Sequence, residues 1–279
     1  MLTTAHTDLT PADLLRGDTQ LATPPTIYLA LKKVIHDPNK SIQDSAKIIE
    51  KDPALTARLL RIVNSAFYGF PAQITSIDRA INMIGYKELQ SLVLGTIIIE
   101  RFSDLPGTIS MVDFWSRSLK CALITAEIDK QSGGEYHESA FVCGLLHDIG
   151  LLVFFRRTPE LAREVNLLLR SEQKHNMFTE AELETQIIGF DHYLMGAELC
   201  RAWNLPDIII QTIQQHHPDA NTHKFSRLAV IIREINFFVA SGMLPDPEKL
   251  NIEGEQLSDI VEKALLEFEE IFKIFYPDK

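Results

Sequence analysis

The chain has 279 residues, of which 46% are hydrophobic and 23% are charged, proportions typical of a globular protein rather than a disordered one. This length can bury a full core, and it fits one large domain or two small domains that share an interface. The net charge of −11 argues against a surface that coats a nucleic-acid backbone, because such binding depends on clustered Lys and Arg; no nucleic-acid partner is expected.

The start of the chain and its cysteines both favour a cytoplasmic protein. Residues 1–8 are polar and lack the apolar segment of a signal peptide, and no apolar run is expected to be long enough to span a bilayer. Cys121, Cys143 and Cys200 lie far apart among apolar neighbours, which is typical of reduced thiols in a reducing compartment. The sequence therefore predicts cytoplasmic localisation and no membrane attachment.

Taken in chain order, the predicted elements are nearly all helices. Apolar residues recur at spacings of three and four, and alternating strand patterns are absent, so the predicted fold class is all-α. Stops are expected at Gly69 and Gly85. Helix starts are predicted at three N-cap patterns: Ser41 with Asp44, Asp52 with Pro53, and Thr179 with Glu182.

The chain is predicted to divide near the polar turn at residues 103–107. This gives an N-terminal helical lobe in residues 1–105, a second helical lobe in 106–243 and a C-terminal docking helix in 244–279. The stretch 92–99 is apolar on nearly every side, so it should pack between the two halves. The last helix carries an apolar stripe that would either dock on the body or form a dimer interface.

Histidines and one aspartate at the ends of predicted helices are the candidate functional residues. They are His147, Asp148, His192, His216 and His217. Imidazoles and a carboxylate are ligands that suit Zn, Fe, Ni or Mn. Any one of them is more often a hydrogen-bonded helix-end residue, and the pair His36-Asp37, which has no such company, is interpreted as a solvated helix end. Together, the five residues indicate one shared site.

Several segments resemble a known family. In the first half they are DPALTARLLRIVNSAFYG at 52–69 and SIDRAINMIG at 76–85; in the second half they are GLLHDIG at 144–150, GFDHYLMG at 189–196, WNLP at 203–206 and the pair His216-His217. On these segments, roughly residues 20 to 240 resemble HDOD proteins, a degenerate bacterial branch of the HD-domain superfamily of metal-dependent phosphohydrolases. The resemblance implies an HD-domain-like helical bundle with an N-terminal helical HDOD lobe.

The resemblance also shows which metal ligands have changed. Active members of the superfamily carry a His on the helix before the His-Asp pair and an Asp on a later helix, and the matching positions here hold Arg117 and Asn236. A guanidinium beside a divalent cation is repelled by it. Dinuclear relatives carry Lys three residues after the Asp of the pair, where this chain has Leu151. No residue is therefore assigned a catalytic role.

Two interpretations of the remaining residues stay open. In dinuclear relatives a second site uses the Asp of the pair and three later histidines, and all four have counterparts here: Asp148, His192, His216 and His217. With His147 beside them, the resemblance implies a residual site for one divalent metal (Fe, Ni, Zn or Mn). The alternative is a site without metal, in which the guanidinium of Arg117 bonds to Asp148 and holds the helices in register.

Three functions follow from the resemblance. The leading hypothesis is a non-catalytic bacterial signal-transduction module that acts through protein–protein interaction, with protein partners of a signalling pathway. The alternative is a metal-dependent phosphohydrolase or phosphodiesterase acting on a nucleotide or cyclic dinucleotide. The third is a receptor that binds such a nucleotide without turnover. Arg117, Asn236 and Leu151 argue against hydrolysis.

Overall fold

The protein is built from helices throughout the residues described by the computed structural model, which are 9–18, 21, 23–103, 105, 109–172, 178–217 and 226–278. The first half contains α1 (Pro11–Leu15), α2 (Thr26–Ile35), α3 (Ile42–Ile49), α4 (Pro53–Val63), α5 (Ile77–Ile84) and α6 (Tyr86–Arg101). The second half contains α7 (Met111–Gln131), α8 (His137–Leu146), α9 (Ile149–Arg157), α10 (Pro159–Glu172), α11 (Glu180–Ile187), α12 (His192–Ala202), α13 (Asp207–Gln215) and α14 (Ser226–Ser241). The chain ends with α15 (Pro247–Leu250) and α16 (Gly254–Phe275). The all-α prediction is confirmed.

The three predicted N-caps are all present. Asp44 accepts a hydrogen bond of 2.9 Å from the backbone N–H of Ser41, and Glu182 accepts one of 2.7 Å from that of Thr179. Each is one half of a capping box. Asp52 accepts from the N–H of Leu55 at 3.0 Å, before a Pro in the first turn. These caps satisfy N–H groups that no residue inside the helix can reach.

The end of α4 differs from the prediction. The helix stops at Val63 rather than continuing towards Gly69. The side chain of Asn64 donates to the carbonyl oxygens of Leu60 and Ile74 and accepts from the N–H of Ile74 at 2.8 Å. The two bonds between Asn64 and Ile74, ten residues apart, favour a closed loop over further helix. Gly85, with φ of +86°, ends α5 as predicted.

Helix α6 lies between the two halves of the chain. It packs on α2, α4 and α5 on one side and on α8 on the other. Its residues Leu92, Val93, Leu94 and Ile98 are all buried. The prediction that the stretch 92–99 packs between the halves agrees with these contacts. The domain boundaries at 105 and 243 stay predictions. Part of the turn at 103–107 lies outside the described residues.

Helix α16 covers the body of the protein with its apolar stripe. It packs along α7 and against α4, and it buries Ile260, Phe268 and Ile271. Glu270 on this helix accepts a hydrogen bond of 3.0 Å from the N–H of Ala66, just after α4. The stripe is therefore occupied by the protein's own core.

One helical stretch, Glu138–Arg157, is long and apolar enough to cross a membrane by length and composition, with a hydropathy of 1.6. The expectation that no run meets this criterion was wrong. However, 89% of its most apolar part is buried inside the protein, as in the core helix of a globular fold. Cys121, Cys143 and Cys200 are also buried and unbridged, as predicted. Burial raises the pKa of the Cys143 thiol to about 12.

Glycines allow α9 and α12 to approach closely. A Cβ atom on Gly150 would overlap the carbonyl oxygen of His192 and lie 2.8 Å from the N of Gly196. The two helices thus touch through their backbones, beside Asp148 and His192. No side chain larger than hydrogen fits at this crossing without moving one helix.

Gly150→Ala is therefore expected to lower the free energy of unfolding by about 3 kcal/mol, because the added methyl group must displace backbone. Urea unfolding followed by circular dichroism measures the change. Gly254→Ala is the matched control, since its Cβ would meet only Pro247 at 3.7 Å. Equal stability of the two variants would contradict the close crossing.

Candidate metal centre

The candidate residues come together at the ends of four helices. His147 and Asp148 form the break between α8 and α9, and His192 is the first residue of α12. His216 ends α13 and His217 follows it. The caps explain the local structure, since Asp191 accepts from the N–H of Leu194 at 2.9 Å and starts α12 with His192 facing inwards.

The carboxylate of Asp148 lies at the centre of three imidazoles. Its Oδ2 is 3.1 Å from Nε2 of His147, and its Oδ1 is 3.4 Å from Nε2 of His216 and 3.6 Å from Nε2 of His192. All four side chains are buried, with exposures between 1% for His147 and 7% for Asp148. The second lobe thus contains a buried cluster of one carboxylate and three imidazoles.

The opposite nitrogens of the rings are held by other groups. Nδ1 of His147 donates to the carbonyl oxygen of Gly144, and Nδ1 of His216 donates to that of Ile213, both at 2.7 Å. Nδ1 of His192 is 2.7 Å from the carboxylate of Glu184, which also accepts from the N–H of His192 at 2.8 Å. Such contacts fix the ring orientation and leave Nε2 as the ligand atom, as in metal-binding histidines.

Several atoms of this cluster have no hydrogen-bond partner. Nε2 of His147, Nε2 of His216 and Oδ1 of Asp148 are all buried, and their mutual contacts lack hydrogen-bond geometry. Ligand atoms of these three residues lie within 4.8 Å of one another. Buried polar atoms without partners are costly, and a cation between them would satisfy all three. This arrangement fits a metal ion.

The electrostatics of the cluster are strongly coupled. Burial alone would raise the pKa of Asp148, but the close imidazoles of His147, His216 and His192 hold it well below its usual value. Burial lowers the pKa of His216 to about 4. Burial also acts to lower the pKa of His192, yet Glu184 and Asp148 outweigh it and raise this pKa to about 10. Asp148 is therefore ionised, and His216 is a neutral imidazole with a free lone pair.

The positions of Arg117 and Asn236 border the cluster without entering it. Both line a cavity of about 140 Å³ that also reaches Asp148, His192 and His217. Among the described residues, the side chains in close polar contact with Asp148 are histidines, and no ion pair joins Asp148 to Arg117. The alternative in which the Arg117 guanidinium bonds to Asp148 is thus not the arrangement seen here.

His217 and Leu151 also lie apart from the closest group. His217 is half-buried on the cavity wall, with its ring 5.0 Å from that of Tyr193. Leu151 is buried in the core. The structure brings together His147, Asp148 and His216, with His192 beside them.

Two acidic residues near the site were missed by sequence reasoning. Glu184 is only 1% exposed and holds His192, while Glu180, one turn earlier on α11, lines the cavity beside Asp148. Burial, with repulsion from Glu184, raises the pKa of Glu180 to about 7. The available signal was that Glu184 lies on the same face of the helix as the apolar residues Ala181 and Ile188.

Other charged residues have partners outside the cluster or are exposed. Arg156 pairs with Asp18 at 2.6 Å, and His36 is an exposed helix end as predicted. Arg58 pairs with Glu100 at 2.7 Å. None of them lines the cavity beside Asp148.

Residues 21–218 of the chain match the HDOD domain family. The chain belongs to the HDOD family. A curated relative, an "Uncharacterized protein" from Treponema pallidum (strain Nichols), is 27% identical over 197 residues, which cover 69% of this HDOD chain. The chain spans 37% of that relative's length.

Solved structures share the fold of this HDOD protein. A "Putative phosphohydrolase" from Shewanella amazonensis SB2B has a TM-score of 0.72 at 23% identity, and the match covers 90% of this chain and 94% of that one. A "Putative signal transduction protein" from Marinobacter aquaeolei VT8 has a TM-score of 0.68 at 18% identity, covering 96% of this chain and 69% of that one. Identities this low establish a common fold.

Since Asp148 is held by histidines, Arg117→Ala should cost no more than about 1 kcal/mol of unfolding free energy. Asp148→Ala in the same chelator-containing buffer should cost about 3 kcal/mol, because it leaves His192 with one carboxylate fewer in a buried site. Chemical denaturation of the two variants beside the unaltered HDOD protein measures both. Equal losses would mean that the guanidinium does support the carboxylate.

Proposed function

We propose that this HDOD protein is a regulatory module of a bacterial signalling pathway that acts through protein contacts. One bound divalent metal ion, which we call the clasp, would hold helices of its second lobe together. The neighbours of the same fold carry names from signal transduction and from phosphohydrolysis. These names suggest two functions, signalling and phosphohydrolysis, and the residues of this chain favour signalling.

The observation that carries the proposal is the convergence of buried atoms without partners. His147, Asp148 and His216 would hold the ion, and His192 would be a fourth ligand after losing its proton to the incoming cation's repulsion. Four protein ligands in a buried site are typical of structural metal centres, whereas catalytic centres keep a position open for water. Imidazole and carboxylate suit Zn, Fe, Ni or Mn, and the ion would supply two positive charges in this buried site.

The protein's own residues explain why such a clasp would matter for regulation. The ligands come from the α8–α9 break, from the start of α12 and from the end of α13. Glu184 adds α11 through its bonds to His192. The centre therefore ties together most of the second lobe, so its occupancy would set how rigidly these helices present their outer faces to a partner protein.

A metal-dependent phosphohydrolase or phosphodiesterase is the second candidate, supported by one observation. The cavity of about 140 Å³ reaches Asp148 and is lined by Arg117, a cation suited to a phosphate group. Against it stand Arg117 and Asn236 themselves, which occupy positions where active relatives have ligands. Binding of a cyclic dinucleotide without turnover would use the same cavity.

Protein purified without chelator should contain about one divalent metal ion per chain, measured by elemental mass spectrometry. Asp148→Asn should lose most of this metal, while His36→Ala, which changes an exposed histidine, should retain it. Removal of the metal should lower the midpoint of thermal unfolding, because binding energy is folding energy. Absence of metal even after reconstitution would contradict the clasp.

The same metal-loaded sample separates the two functions. We expect no release of p-nitrophenol from bis(p-nitrophenyl) phosphate and no cleavage of cyclic dinucleotides above the level of Asp148→Asn. Hydrolysis that disappears in Asp148→Asn would establish the phosphohydrolase instead. Calorimetric titration with cyclic dinucleotides tests the receptor hypothesis.

Glu184→Gln should weaken zinc binding by about tenfold, because the group that supports a ligating His tunes its basicity and orientation. Competition with a chromophoric chelator gives the dissociation constant. Glu198→Gln is the control, since Glu198 is partly exposed on the helix of His192 and pairs only with Arg201 in the described structure. Unchanged affinity in Glu184→Gln would argue that His192 is not a ligand.

A further inference from the structure

A second cleft is lined by helices from both halves of the chain. We call it the aromatic cleft, and it has a volume of about 280 Å³. Its walls come from the loop after α4, the end of α5 and the starts of α6 and α8, together with α7. Three rings and three carboxylates dominate its lining: Phe67, Tyr68, Phe70, Glu88, Glu127 and Glu138.

The rings are held in place before any ligand binds. The loop that carries them is tied to α16 through Ala66 and Glu270, and the hydroxyl of Tyr68 donates to Glu88 at 2.8 Å. Phe67 lies edge-on to Tyr68 at 5.0 Å, and Phe70 stacks on Tyr68 at 6.0 Å. Differently oriented ring faces are thus fixed around one space, which reduces the entropy lost on binding.

Carboxyl groups outnumber cations three to one among the residues that line the cleft. Burial raises the pKa of Glu88 to about 7, so this carboxyl is only partly ionised at neutral pH, and a cation placed beside it would favour its ionised form. No described ion pair engages Glu88. Glu138 pairs with the exposed Lys87 at 2.9 Å, and Glu127 is 3.8 Å from Lys263. Lys130 is the one cation that lines the described part of the cleft.

Aromatic faces and carboxylates together favour one class of ligand. A Lys or Arg side chain pairs its charge with carboxylates, lies over ring faces within about 6 Å and buries its alkyl stem against apolar atoms. Met83, which is 49% exposed, completes the apolar wall of the cleft. A neutral apolar side chain would bring no charge to pair with Glu88, and an acidic side chain would be repelled.

We propose that the aromatic cleft binds a Lys or Arg side chain presented by a protein partner, with Glu88 as its main counter-ion. This proposal rests on the proposed role of the protein as an interaction module and names the chemistry of the partner surface. It does not depend on metal, because no residue of the cleft belongs to the metal centre.

The test uses full-length protein labelled with ¹³C in its Met methyl groups, so that Met83 reports on the cleft by NMR. The probes are the blocked peptides Ac-Leu-Lys-Leu-NH₂ and Ac-Leu-Arg-Leu-NH₂, the same peptide with norleucine in place of Lys, and n-butylammonium. We expect saturable shifts of the Met83 signal with a basic peptide, and binding at least about tenfold weaker for the norleucine peptide and for n-butylammonium.

Three variants check the role of charge. Glu88→Gln should weaken binding of the basic peptide by about tenfold, whereas Lys130→Met, which removes the competing cation, should strengthen it. Glu262→Gln, an exposed change on α16, should have no effect. The opposite signs expected for Glu88→Gln and Lys130→Met separate a charge effect from loss of folding.

Other outcomes would overturn the proposal. Equal binding of the norleucine peptide would make the cleft a general apolar site, and equal binding of n-butylammonium would make it a site for small organic cations. Absence of any shift at Met83 would also reject it. Metal content, measured on the same samples, reports separately on the clasp, so failure at one site is distinguishable from failure at the other.

Discussion

The burial of one carboxylate at the break between α8 and α9 is the constraint on which the second lobe depends. Asp148 lies within a helical stretch that is otherwise apolar and buried. A charge without a partner there would cost a large free energy of desolvation. The compensating groups come from α12 and α13 as well as from the adjacent His147. These helices must therefore converge, and the glycine crossing at Gly150 is what lets α9 and α12 come close enough.

Local features of this fold could be predicted from sequence because their causes are local. The caps at Ser41, Asp52 and Thr179 each involve residues three positions apart, and all three formed as expected. The early end of α4 could not be foreseen, because it depends on bonds between Asn64 and Ile74, which meet only when the loop closes. Helix existence thus follows from periodicity, and the exact ends depend on tertiary contacts.

The same distinction applies to the metal centre. The histidines and Asp148 were recognisable because their chemistry is rare in apolar helices, and their positions at helix ends suggested a meeting point. The sequence did not predict that Glu184 would bind Nδ1 of His192, because the other buried residues of that helix are ordinary core residues. It also suggested that the guanidinium of Arg117 would bond to Asp148, and only the fold reveals that histidines contact this carboxylate instead. Orientation, rather than residue type, was the missing information.

Helix α8 physically connects the two candidate sites. Glu138 in its first turn lines the aromatic cleft, and His147 follows its last residue in the metal centre. Ten residues of α-helix span about 15 Å, a short and stiff connection between the two. If docking of a basic side chain and retention of the metal both favour one position of α8, each must strengthen the other by the same factor, because coupling between binding sites is reciprocal. A packed helix with a residue of each site at its ends is a suitable element for such coupling, since small shifts at one end are passed on rigidly to the other.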